Sequence, residues 1–109
     1  MNEISKGANL SIDIDQKSLP INPTVAAAAD MLGFDVLDIA NEGKFVAVVP
    51  ADCAEKALAF CKGHPLGENS AIIGEMCAIK DVPLVELKTL IGGRRIIQMP
   101  YGRELPRIC

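Results

Sequence analysis

The sequence has no tryptophan, one tyrosine and three phenylalanines, so aromatic side chains contribute little to its core. Half of the 109 residues are nevertheless apolar, which indicates a folded protein rather than a disordered chain. A core of isoleucine, valine, leucine and alanine suits a layered arrangement of helices and strands. The length is enough for one small domain.

The sequence also lacks the signals of a membrane, secreted or nucleic-acid-binding protein. No apolar run approaches the ~20 residues of a membrane span. The first residues, MNEISKGANL, have neither the basic start nor the apolar stretch of a signal peptide. A net charge of −3 argues against a general electrostatic attraction to nucleic acid. We therefore expect a cytoplasmic protein, with no nucleic acid and no membrane among its partners.

Metal-binding and disulfide patterns are missing as well. The cysteines are Cys53, Cys61, Cys77 and Cys109, none of them in a C-x-x-C pair, and the only histidine is His64. Structural zinc needs closely spaced ligand pairs, and a reducing cytoplasm disfavours disulfides. We expect neither. Cys61 and Cys77 are predicted to lie in the core, and His64, next to a proline, is predicted to be a surface turn residue.

The apolar pattern predicts an α+β fold. In LSIDIDQ, Leu10, Ile12 and Ile14 alternate with polar residues, which is typical of a strand with one solvated face. The first six predicted elements run β-α-β-β-α-β, the order of a ferredoxin-like core, and a C-terminal hairpin follows. The predicted strands are 10–16, 35–40, 45–49, 71–79, 84–90 and 94–99, and the predicted helices are 21–33 and 51–63.

Both predicted helices carry end signals. In the first, Asn22 is in position to cap the helix, Pro23 fits the first helical position and Gly33 ends it. In the second, Asp52 and Glu55 have capping-box spacing, and a glycine follows the last predicted turn. The stripes expected to face the core are Val25, Ala28, Ala29 and Leu32 in the first helix and Ala54, Ala57, Leu58 and Cys61 in the second.

Two glycine-containing segments fall between predicted strands. In NEGK, residues 41–44, Gly43 can take positive φ in a plain hairpin turn, or Glu42 can serve as a general base on a loop held by the sheet. In IGGRRI, the glycines predict a second hairpin turn, and Arg94 and Arg95 either bind an anion or form a solvated strand face. Neither segment has a nucleotide-binding pattern.

The last residues predict a tail. Residues 100–109 contain two prolines and little periodicity, so we expect a mobile tail after a domain spanning 1–99. It ends at Cys109, and a prenylation box is excluded because Pro106 stands where its cysteine would be. A terminal thiol can be incidental. However, an extended tail of this length reaches ~30 Å, so its thiol can be loaded at one site and processed at another.

Taken together, these motifs resemble a known family. The ending LPRIC, the preceding IGGRRI, NEGK before an apolar strand, and HPLG leading into AIIGE are similar to the C-terminal part of the HypE carbamoyl dehydratases of hydrogenase maturation. The resemblance covers nearly the whole chain. LPRIC as a C-terminus is its most specific part.

The resemblance implies a particular domain organisation. The family is similar to the aminoimidazole-ribonucleotide synthetase (PurM-like) superfamily, in which an N-terminal ATP-binding domain, which also forms the dimer, precedes a C-terminal α/β domain. This chain resembles most of the second domain, and MNEIS resembles the end of a helix inside it, which implies that the first elements of that domain are absent. The family's ATP-binding residues have no counterpart here. ATP with Mg²⁺ is thus expected in the full-length family and not on this domain alone.

The resemblance also implies a reaction. The carbamoyltransferase HypF would place a carbamoyl group on the thiol of Cys109, and ATP would phosphorylate the carbamoyl oxygen. Removal of protons from the nitrogen, with Glu42 as the matching base, would expel phosphate and leave a thiocyanate. The cyanide would pass to iron on the HypC–HypD complex. The implied partners are HypF, HypC–HypD and the N-terminal ATP-binding domain.

Two other interpretations remain open from the sequence. The chain can be a stand-alone docking or carrier module without catalytic activity. It can also be a structural domain with an incidental terminal thiol, in which case Cys109→Ser would leave hydrogenase maturation in cells unchanged.

Overall fold

The structure is a computed structural model that describes residues 1–39, 41–79 and 81–98. It divides into two compact units, one formed by Met1–Pro20 with Val46–Gln98 and the other by Ile21–Phe45. The predicted α+β class is confirmed. The helices are α1 (Asn2–Ala8), α2 (Pro23–Leu32) and α3 (Ala54–Lys62), and the strands are β1 (Ser11–Asp15), β2 (Gly74–Cys77), β3 (Val85–Lys88) and β4 (Arg94–Ile96).

The first unit is built on a four-stranded sheet with the order β2-β1-β3-β4. β1 runs antiparallel to β2 and parallel to β3, and β3 runs antiparallel to β4. Ile12 and Ile14 of β1 stand opposite Val85 and Leu87 of β3, and all four side chains are buried. The alternation in β1 therefore predicted the burial of Ile12 and Ile14 correctly, whereas Leu10 is 37% exposed and Ser11, expected on the solvated face, is buried.

The segment before β1 is fastened by a hydrogen bond. The helical character expected of MNEIS is confirmed by α1, which ends at Asn9 in the left-handed region with φ of 52°. The buried Ser5 hydroxyl donates to the Leu10 carbonyl over 2.6 Å. This bond satisfies a carbonyl at the point where the chain turns from α1 into β1.

The predicted hairpin near the C-terminus is confirmed. Between β3 and β4, Gly92 has φ of 86°, and its N–H donates to the Thr89 carbonyl over 3.0 Å. The Thr89 N–H in turn donates to the Gly93 carbonyl over 2.8 Å. The paired glycines thus close the turn that brings β4 back along β3.

The ends of α2, in the second unit, are as predicted, but its buried face is not. The Asn22 Oδ1 accepts from the Thr24 N–H over 2.9 Å, and Gly33 ends the helix with φ of 70°. Of the predicted stripe only Ala29 is buried, whereas Val25 and Leu32 are exposed. The described residues of this unit therefore leave most of the predicted stripe exposed.

The stripe predicted on α3 is confirmed, because Ala54, Ala57, Leu58 and Cys61 are its half-buried residues. The predicted capping box is wrong. Residues Ala51–Cys53 form a 3-10 turn, so α3 begins at Ala54 with Cys53 as its N-cap and no side-chain cap. Asp52 thus lies inside the turn and is displaced from the capping position.

Two predicted strands, 35–40 and 45–49, are not found among the described residues. Asp35 Oδ1 accepts from the Leu37 N–H over 2.9 Å, and the Asp38 N–H donates to the Asp35 carbonyl over 3.0 Å. This local turn competes with strand pairing. Because these strands are missing, the element order differs from the ferredoxin-like one, and the sheet forms from β1 and three later strands.

None of the helices in the described ranges is long and apolar enough to cross a membrane.

Candidate functional site

The candidate base, Glu42, lies on an exposed turn. Gly43 has φ of 74°, as the turn prediction required. The hairpin predicted around it is wrong, since neither flanking strand forms in the described part of the chain. Glu42 is thus accessible to solvent on a turn of the second unit, and not at the end of paired, buried strands. Its role as a base stays a prediction.

The predicted acceptor thiol, Cys109, is far from Glu42 in the sequence. Cys109 and the rest of residues 99–109 lie outside the described residues. The acceptor role of Cys109 and the predicted tail therefore stay predictions.

In the first unit, one face of the sheet carries a row of carboxylates. The strand register aligns Asp13 of β1 with Glu75 of β2 on one side and with Glu86 of β3 on the other. Arg94 of β4 reaches across this row: its Nη2 lies 3.0 Å from Asp13 Oδ2 and its Nη1 lies 3.1 Å from Glu86 Oε2. One guanidinium thus joins three strands.

The contacts of Arg94 distinguish between an anion-binding residue and a residue of a solvated strand face. Its hydrogen bond with Asp13, together with the negative charges of Asp13 and Glu86, raises the pKa of Arg94 above its ordinary value. Both terminal nitrogens already bind carboxylates, so an incoming anion would have to displace them. Arg94 belongs to a solvated, ion-paired strand face. Arg95 stands opposite Leu87 in the register, on the other face of β4.

Cys77 lies beside the carboxylate row and is half-buried in β2. Desolvation raises the pKa of its thiol, and the charges of Asp13, Glu75 and Glu86 raise it further. Because the thiolate is the reactive form, this environment disfavours a nucleophilic role. The strand placement predicted for Cys77 is confirmed, although its burial is partial.

Cys53, Cys61 and His64 lie on α3 or directly beside it in the sequence. Cys61 is half-buried on α3, whereas Cys53 is exposed at the start of that helix. The Nδ1 atom of His64 accepts from the Leu66 N–H over 3.2 Å and caps a 3-10 turn, which confirms the predicted turn residue. Across residues 1–39, 41–79 and 81–98, no three His, Cys, Asp or Glu side chains form a metal-binding group.

The carboxylate row was missed by the sequence analysis. The segments SIDID, GEMC and VELK each place an acidic residue at an alternating position, and this signal indicates a solvated face. The alignment of those residues depends on the register between strands that are far apart in sequence. Arg94, singled out as a possible anion ligand, proved to be the counter-ion of Asp13 and Glu86.

Sequence and fold together define a class of protein. Residues 1–84 match the family described as AIR synthase related protein, C-terminal domain. The chain belongs to this family.

Within that class the chain is similar to HypE. It is 44% identical over 109 residues to Carbamoyl dehydratase HypE of Bradyrhizobium diazoefficiens, covering all of this chain and 31% of that protein. It superposes on the crystal structure of Hydrogenase Maturation Protein HypE in complex with ATP with a TM-score of 0.90 and 33% identity, over 99% of this chain and 33% of that one. For a chain of the HypE–HypF complex the TM-score is 0.83 with 42% identity, over 91% of this chain and 32% of that one.

The resemblance inferred from the sequence motifs is confirmed by these similarities. The chain spans about a third of the length of the relatives it matches.

Proposed function

We propose that this chain is the C-terminal part of a carbamoyl dehydratase that acts in [NiFe]-hydrogenase maturation. The observation that carries the proposal is the 44% identity to a carbamoyl dehydratase along the complete chain, including the C-terminal region. The proposal places the protein in the cytoplasm, with residues 1–99 as the domain and 100–109 as its mobile tail.

In this proposal, Cys109 is the acceptor thiol. HypF transfers a carbamoyl group to its sulfur, and the existence of a HypE–HypF complex among the structural relatives supports this partner. A sulfur carrier suits the task because it can accept an acyl-type group and later release cyanide. A mobile tail would carry the loaded sulfur from one site to another.

The proposed dehydration keeps its atoms and electrons in balance. ATP, a substrate, transfers its terminal phosphoryl group to the carbamoyl oxygen as one N–H proton leaves, giving an S–C(=NH)–O-phosphate. A base removes the second N–H proton, the C–O bond breaks, and phosphate departs with the electron pair. The product is S–C≡N. Passage of its cyanide to iron on HypC–HypD breaks the S–C bond, returns Cys109 as a thiolate and takes up two electrons, which a reductant on HypC–HypD would supply.

Glu42 is proposed as the base in this step. Its exposed position on the turn makes the carboxylate accessible to a delivered group. Proton transfer requires the carbamoyl nitrogen to come within about 3 Å of a carboxylate oxygen. The tail would therefore have to bring Cys109 to the turn at Glu42.

Binding of ATP and Mg²⁺ is assigned to an additional N-terminal domain. The sequence has neither the G-x-x-x-x-G-K-[ST] nor the G-x-G-x-x-G phosphate-binding pattern, which supports placing the nucleotide site on another domain. A structural relative in complex with ATP supports nucleotide use by full-length proteins of this kind.

Mass spectrometry tests the acceptor assignment. After incubation with HypF, carbamoyl phosphate and ATP, the chain should gain the mass of one carbamoyl group, and fragmentation should place that group on Cys109. Cys109→Ala should abolish the gain, whereas Cys53→Ala, which removes an exposed thiol, should retain it. A carbamoyl group found on Cys53 in the unaltered chain would refute the assignment.

An alternative function follows from the short span of the chain. Since it covers 31% of its relative, it can instead act as a stand-alone docking or carrier module. Supplying the ATP-binding domain as a separate polypeptide distinguishes the two. A carrier module would hold the carbamoyl group without dehydrating it, even with that domain present. The enzyme proposal requires dehydration to return once all the domains are present.

A further inference from the structure

Residues 46–49 form an apolar segment without a partner strand. Val46, Val48 and Val49 are 50%, 55% and 41% exposed, and Ala47 between them is exposed too. β-branched side chains of this kind normally pack on a pleated sheet, and a strand that is apolar on both faces is typical of a sheet interior. Burial of these side chains would therefore be favourable if a partner covered them.

The backbone of this segment is equally unpartnered. Within the described ranges, no backbone hydrogen bond involves residues 46–49, and the segment is outside the β2-β1-β3-β4 sheet. An apolar stretch with free N–H and C=O groups is a template for pairing with another strand. The segment thus offers backbone pairing and apolar contact to the same partner.

The relatives indicate what this partner is. A solved relative superposes on 99% of this chain with a TM-score of 0.90, yet this chain covers only 33% of it. In such proteins the same domain is accompanied by twice as much additional polypeptide. We infer that residues 46–49 are a sheet strand completed by polypeptide equivalent to that remaining two-thirds, supplied in one longer chain or as a separate chain.

The inference specifies the chemistry of the partner. It contributes an extended strand whose N–H and C=O groups pair with residues 46–49, and apolar side chains that cover both faces of the valines. A second copy of this chain is less suitable, because each copy carries a net charge of −3. The inference rests on family membership and on the exposed segment, and not on carbamoyl transfer to Cys109.

Hydrogen exchange tests the inference. The remaining two-thirds of the Bradyrhizobium relative would be joined in frame to this chain, and amide exchange at residues 46–49 compared between the 109-residue chain and the chimaera. We expect fast exchange in the short chain and exchange slowed by at least about 100-fold in the chimaera, because strand pairing protects amides. If the chimaera does not fold, the aligned segment in the intact relative replaces it.

A pair of substitutions sharpens the test. Val48→Asp should lower the melting temperature of the chimaera and leave that of the 109-residue chain unchanged, because a charge would be buried only in the completed sheet. Ile91→Asp is the matched control at a residue that is 96% exposed in the β3–β4 turn, and it should change neither protein.

Several results would overturn the inference. These are equal exchange rates in the short and long proteins, equal destabilisation of both by Val48→Asp, and a dimer of the short chain that protects residues 46–49. A failure of carbamoyl transfer would refute the proposed function and leave this inference standing.

Discussion

Gly74 lies where the backbone of β2 closely approaches the backbone of β1. A Cβ added at Gly74 would clash with the Asp13 carbonyl oxygen, which is backbone and cannot rotate away. Gly74→Ala should therefore push β2 away from β1 and lower the free energy of unfolding by about 1–3 kcal/mol. Urea unfolding followed by circular dichroism measures the change.

Gly7 is the matched control for that substitution. It lies within α1, and a Cβ there meets nothing within 4 Å outside the helix backbone. Gly7→Ala should raise the free energy of unfolding by up to about 1 kcal/mol, because alanine favours the helix. Equal effects of the two substitutions would contradict the close approach at Gly74.

The thiol of Cys77 predicts a dependence of stability on pH. Its pKa is raised in the folded protein above its ordinary value of 9.0, chiefly by desolvation. The protonated thiol is therefore favoured by folding, so its contribution is fully present below about pH 9 and is lost as pH rises through the raised pKa. Melting temperatures measured from pH 8 to 10.5 should fall more steeply for the unaltered protein than for Cys77→Ala.

Cys53→Ala is the control, because it also removes a cysteine thiol but at a different position. Cys53 is exposed at the start of α3 and is not on the strands that carry the carboxylate row. Cys53→Ala should keep the steep alkaline decline of the unaltered protein. Identical curves for Cys77→Ala and the unaltered protein would show that the thiol does not contribute.

At the scale of elements, the cap of α2 is the clearest local determinant. Asn22 Oδ1 accepts the Thr24 N–H over 2.9 Å, which satisfies a donor that the helix itself leaves free. Asn22→Ala should cost about 1 kcal/mol of stability. Chemical denaturation detected by circular dichroism checks it, with Asn69→Ala at an exposed turn as the control expected to be nearly neutral. Equal losses would argue against the cap.

The elements that sequence predicted well are those determined by neighbours in the chain. Asn22, Pro23 and Gly33 define α2 because caps and left-handed ends act within a few residues. The strand prediction failed at 35–40 because Asp35 forms a local turn that the hydrophobic pattern does not reveal. The apolar pattern of 45–49 still indicates a strand, but a strand needs a partner that the described residues do not supply.

At the scale of the whole molecule, the proposed reaction needs more polypeptide than this chain contains. We expect the 109-residue chain to accept a carbamoyl group and to leave it undehydrated, with no carbamoyl-dependent release of phosphate from ATP. Joining it to the ATP-binding domain should restore both the dehydration and the carbamoyl-dependent release of phosphate. A phosphate assay with Cys109→Ala as control measures this. Carbamoyl-dependent phosphate release by the short chain alone would contradict the proposal.

The sequence by itself determined the α+β class, the caps of α2, the two glycine turns and the resemblance to HypE, because these depend on short-range geometry and on residue identity. It also marked Glu42 and Cys109 as candidates, whose roles stay predictions. Only the tertiary structure decided that Asp13, Glu75 and Glu86 form one row in which Arg94 pairs with Asp13 and Glu86, and that β1 lies between β2 and β3. Strand register joins residues far apart along the chain, and no local pattern specifies which strands meet.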